Sequence, residues 1–149
     1  MREGDQLKRT GLWDAWLLVV AFGMAAFGVF MALFSRSPLF DGFNSQIDPV
    51  FWNTSPIDTS VQTFQGWAYG VWGATVAGFG VLAAFVVRGP YHARQRWARD
   101  ALVAAIAAWF ILDTGVSALY GVWFNVAFNT AVLLALTVPI GVTWREFGG

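Results

Sequence analysis

Asp113 is the residue whose type and position most demand a chemical role. It lies inside an apolar stretch, about six residues from its end, and on the insertion scale a carboxylate at a bilayer centre costs about 2.5–3.5 kcal/mol. Ionisable groups so placed usually carry function. Helical spacing puts Trp109, Ser117 and Tyr120 on the same face, with Thr114 beside it. Asn125 and Asn129 follow at i, i+4 after a turn at Tyr120-Gly121. If the chain folds back there, Asp113 falls level with Asn129, and Ser117 with Asn125. Gln65, Tyr69 and Trp72 share one face of an earlier helix that starts at the same side. These groups are expected to converge on one site in the outer half of a membrane, with one carboxylate, three amides, several aromatic tips and no Lys or Arg to pair with Asp113. Two readings stay open: a clamp between two helices, or a site for a ligand or a proton.

Other chemistries lack their residues. With no Cys there is no disulfide and no thiol site, and a single His removes bis-histidine haem and most zinc sites. The chain has no carboxylate pair for acid–base work, no phosphate loop, no Ser–His pairing and no Lys placed for a Schiff base. No cofactor is expected. One carboxylate with amides and aromatics suits a lipid, a quinone or another largely apolar molecule held by a few hydrogen bonds.

The composition says what positions these residues. Of 149 residues, 57% are hydrophobic, 17% aromatic and 12% charged, against about 25% charged in a typical soluble domain. That excludes a soluble enzyme and a disordered chain, and a net charge of zero gives no handle for nucleic acid. A spanning helix takes about 20 apolar residues. Four such runs are expected near residues 12–34, 63–87, 98–119 and 122–142, giving an all-α four-helix membrane bundle in one domain over 1–149. The first run is too long for a signal peptide and no clean cleavage site follows it. Thr59 and Gln62 have capping-box spacing ahead of the second, and Pro139 is a candidate kink in the fourth.

Residues 35–62 form the one long loop. It carries Pro38, Pro49 and Pro56 among Phe40, Phe43, Phe51 and Trp52. So many large aromatics indicate a loop lying at the membrane interface or capping the bundle. Asn53-Thr54-Ser55 matches a glycosylation sequon, a short and unspecific pattern. Lys and Arg flank the spans unevenly: Arg2, Lys8 and Arg9, then Arg88, Arg94, Arg96 and Arg99, then Arg145, with Arg36 alone on the other side. Both termini and the 88–99 turn should therefore be cytoplasmic. The four Arg of that turn read as topology determinants touching lipid headgroups. Asp14 reads as a carboxylate in the first helical turn, favoured by the helix dipole.

Gly66, Gly70, Ala74 and Gly78 recur every four residues, flanked by Gly73 and Ala77, which predicts a close-packed face on the second span. Ala21, Ala25, Gly28 and Ala32 offer the first span as its partner, and packing within one chain is favoured over a dimer seam. Trp13, Trp16, Trp67, Trp97, Trp123 and Trp144 have interfacial placement. Trp72 and Trp109 sit deeper, as core or as the wall of a pocket.

The text Trp109-Phe110-Ile111-Leu112-Asp113-Thr114-Gly115-Val116-Ser117, with Gly121-Val122-Trp123-Phe124-Asn125 and Asn129, resembles uncharacterised bacterial four-helix membrane proteins. The layout is similar, more loosely, to DoxX-like small membrane proteins. The resemblance implies a bacterial inner-membrane protein and no mechanism. The expected function is that of a non-enzymatic accessory or interaction subunit in the lipid bilayer, holding a lipid- or quinone-like ligand around Asp113, within a homo-oligomer or a larger membrane complex. A transporter or proton relay, and a membrane enzyme acting on a lipid or quinone, are the alternatives.

Overall fold

A computed structural model describes residues 3–52 and 57–148, residues 3–10 as backbone only. The Asn53-Thr54-Ser55 sequon and the side chains of Arg2, Lys8 and Arg9 lie outside the described residues. The chain is an all-α bundle of α1 (Glu3–Phe34), α2 (Asp41–Phe51), α3 (Thr59–Val86), α4 (Arg96–Leu119) and α5 (Trp123–Thr143). All but α2 are long and apolar enough to cross a membrane. Their lipid-type surfaces are bare: Phe85 and Leu119 are 73% and 85% exposed, as for helices that are apolar all round.

The apolar spans fall within a few residues of their expected limits, the first at Gly11–Phe34, but the helix that carries it begins earlier, at Glu3. This displaces the reading of Asp14. It is not in a first turn but about three turns in, and it is buried. The start of α3 also differs from expectation. The cap is Asp58, whose carboxylate accepts from the Ser60 hydroxyl and backbone N–H. Those two donors hold it below the usual carboxylate range. Gln62 donates instead to the Ile57 carbonyl.

α1 and α3 are antiparallel and touch backbone to backbone. A Cβ placed on Gly73 would lie 2.5 Å from the Gly28 carbonyl oxygen, and one on Gly80 would lie 2.5 Å from the Ala25 nitrogen. The seam on α3 is therefore Gly73, Ala77 and Gly80, not Gly66, Gly70, Ala74 and Gly78. A Cβ on Gly70 makes only ordinary contact, one on Gly66 would meet the Arg36 side chain, Gly78 faces open space and Ala74 is exposed. Helix geometry gives the reason. Each four-residue step overshoots one turn by about 40°, so a strict four-residue stripe winds off the contact face. Alternating steps of four and three stay on it. The partner stripe Ala21, Ala25, Gly28 and Ala32 keeps that alternation.

α5 pairs with α4 and with α1, and α3 packs chiefly on α1; α3 and α4 meet only through the basal core, where Ala83 and Ala84 join Leu102 and Ile106. Pro139 is accommodated within α5 without ending it. It leaves the Ala135 carbonyl, four residues back, without its helical donor. The Trp16 indole N–H of α1 fills that place at 2.9 Å. Below, Leu17, Ala21, Leu102, Ile106, Leu136 and Ile140 form the core of the half that carries both termini, the basal half.

The 35–62 segment is not a plain loop. α2 lies across the opposite end, and Phe40 just before it and Phe43, Ile47 and Val50 within it are spaced by three or four. Phe40 is buried against Phe30 and Tyr69, and Phe43 meets Phe124 of α5 edge-on at 5.6 Å.

Candidate functional site

Gly121, with φ +75°, turns the chain tightly enough for α4 and α5 to run side by side. The hairpin brings one face of each helix together around Asp113. Its Oδ1 accepts from Asn125 Nδ2 at 2.7 Å, Asn129 Nδ2 at 2.8 Å and Ser117 Oγ at 3.3 Å. Asn125 also donates to Ser117 Oγ at 2.7 Å, and Asn129 to Thr114 Oγ1 at 3.2 Å. Asn129 is 2% exposed and Asn125 7%, so the amides are fixed by bonds that have no water to compete with them.

The arrangement is one-sided. Every donor converges on Oδ1, and Oδ2 accepts no hydrogen bond among the described residues. Asp113, Asn125 and Asn129 line a cleft of about 380 Å³, a size that suits a small-molecule ligand. Its other walls are Gly23, Met24, Phe27 and Met31 of α1, Phe43 of α2, Trp72 and Val76 of α3, Trp109 of α4, and Phe128 and Val132 of α5. α3 packs chiefly on α1 and α4 chiefly on α5. α1 and α5 supply most of the cleft's lining, with Trp72 and Val76 of α3 and Trp109 and Asp113 of α4 beside them. No Lys, Arg, His or Glu lines it.

Of the expected cluster, Asp113, Ser117, Asn125 and Asn129 are joined by hydrogen bonds, and Trp72 and Trp109 share the cleft. Gln65 and Tyr69 are elsewhere. Gln65 Nε2 donates to Asp48 Oδ1 at 2.7 Å and to Tyr69 Oη at 3.2 Å, forming a separate group beneath the cap. The ring of Phe43 of α2 contacts both Tyr69 and Phe124. Sequence spacing along α3 alone could not show the contacts that a third element would make.

The basal turn holds a second polar group that spacing did not reveal. Arg94 makes a two-pronged bond to Asp14, Nη1–Oδ1 2.9 Å and Nη2–Oδ2 3.0 Å. His92 Nδ1 lies 2.8 Å from Asp14 Oδ2, and Arg94 Nε lies 3.0 Å from Glu146. Tyr91 is fully buried, bonded to Thr143 Oγ1 at 2.7 Å and packed on Phe147. Arg96 Nε donates to the Phe147 carbonyl, and the Arg99 guanidinium lies 4.0 Å over Trp144. Three of the four Arg expected to face lipid headgroups are thus engaged within the chain, tying α1, the 88–95 turn, α4 and the C-terminal segment together. This group is a structural fastening, distant in the fold from the cleft.

No protein-family model, curated protein or solved structure matches the chain.

Proposed function

We propose that this chain is a small polytopic protein of the bacterial inner membrane, both termini cytoplasmic, that holds a lipid- or quinone-like molecule in the Asp113 cleft as an accessory or interaction subunit. The carrying observation is the cleft itself: set among the four apolar helices, walled by apolar and aromatic side chains, with one carboxylate oxygen left without a partner among the described residues. The excess of Lys and Arg beside the termini and the 88–99 turn supports the orientation.

Retention is favoured over transport because, among the described residues, the basal half beneath the cleft is packed by the apolar side chains of Leu17, Ala21, Leu102, Ile106, Leu136 and Ile140. It is favoured over catalysis because the groups in bonding reach of Asp113 are amides and a hydroxyl, and general acid–base work needs a second group matched in protonation.

Gly23→Leu tests this. Gly23 lines the cleft, and a Cβ there meets no atom within 4 Å, so the added side chain fills the cleft without straining the fold. A bromine-terminated undecanol, which quenches tryptophan on contact, should saturably quench the purified protein in nonionic detergent. Gly23→Leu should remove the saturable part. Equal saturable quenching in both proteins would refute the reading.

A further inference from the structure

Resting on that reading, we infer that the cleft selects a lipophilic cation: an alkyl amine or quaternary ammonium whose head meets Asp113. Three observations combine. First, Asp113 brings a carboxylate to an apolar cleft, and no Lys, Arg or His lines it. An unpaired charge in such a place is costly, so the complement must arrive with the occupant. Second, the polar atoms left over are acceptors. Asp113 Oδ2 and the side-chain oxygens of Asn125 and Asn129 accept no hydrogen bond among the described residues, whereas the N–H groups of both amides are engaged on α4. Third, Trp72, Trp109, Phe27 and Phe128 line the same space, and aromatic faces, Trp above all, attract a desolvated cation. Among the described residues, Arg94 is bound to Asp14, and Arg36 lines the separate hollow beneath α2. A fatty acid would set its carboxylate against Asp113. A neutral alcohol would leave the charge uncompensated.

The experiment compares three undecyl probes with the same bromine-terminated tail, carrying a trimethylammonium, a hydroxyl or a carboxylate head, by saturable tryptophan quenching in nonionic detergent. The trimethylammonium probe should bind at least about tenfold tighter than the alcohol, and the carboxylate probe weaker than both. In Asp113→Asn, which keeps an acceptor oxygen and the side-chain shape, the preference for the cation over the alcohol should vanish. The comparison of probes in the unaltered protein stands without that variant should it fail to fold. Equal binding of cation and alcohol, or tightest binding of the carboxylate, would overturn the inference and leave the apolar-ligand reading intact. If no probe binds more in the unaltered protein than in Gly23→Leu, both fall.

Discussion

Gly73→Leu is expected to abolish the folded α1–α3 pair, whereas Gly78→Leu on the same helix should leave it intact. At Gly73 even a Cβ would lie 2.5 Å from the Gly28 carbonyl oxygen and 2.7 Å from the Ala32 nitrogen, while at Gly78 nothing lies within 4 Å. Backbone atoms cannot swing aside as a side-chain tip can. The two helices would have to part along their length, losing the dispersion and Cα–H···O contacts that hold such pairs in lipid. The loss should exceed about 3 kcal/mol, the upper end of ordinary overpacking. Thermal unfolding followed by size-exclusion chromatography in detergent checks this. Unchanged stability of Gly73→Leu would mean that α1 and α3 do not touch as described.

Asp14→Ala should be the second most damaging change. Asp14 and Arg94 expose only 7% and 19% of their side chains, and removing one partner of a buried pair typically costs about 3–5 kcal/mol because the other is left charged and unpaired. The nearby Glu146 retains part of the bonding to Arg94 Nε, which places the cost at the lower end of that range. Arg94 adds a backbone signature, φ +56°, a left-handed conformation that disfavours side chains. Arg94→Ala should therefore be less stable than Arg94→Gly by about 1 kcal/mol, although both lose the same ion pair. The double variant Asp14→Ala with Arg94→Ala should recover part of the single-variant loss, and strict additivity of the two losses would contradict a direct pair.

The parts legible in the sequence were those fixed by local spacing. Four apolar runs give four helices, and the tight Tyr120-Gly121 turn puts Asp113 opposite Asn125 and Asn129, because a hairpin leaves little freedom of register. What was not legible depended on elements distant in sequence. Asp14 and Arg94 lie 80 residues apart and meet only because the basal turn folds back over α1. Gln65 and Tyr69 share a face with Trp72, but Gln65 bonds to Asp48 and Tyr69 packs on Phe43, whose ring also meets Phe124 of α5. α2 was hidden by Pro49 and by its Gly, Asn and Ser content, although Phe40, Phe43, Ile47 and Val50 carried an amphipathic spacing. The seam was misplaced on α3 because a stripe of identical spacing looks regular on paper yet drifts around a real helix. The cleft follows from none of these spacings, since all five helices contribute to its lining.

The most direct test of the cleft as a binding site is photolabelling with a diazirine-tailed fatty alcohol in native membranes, with labelled residues mapped by mass spectrometry. Saturable labelling is expected within 20–31 and 125–135, the α1 and α5 segments that line the cleft, and it should disappear in Gly23→Leu. Labelling confined to outward-facing positions such as Leu33, Phe85 and Leu119, growing linearly with probe and indifferent to Gly23→Leu, would contradict a ligand site at Asp113.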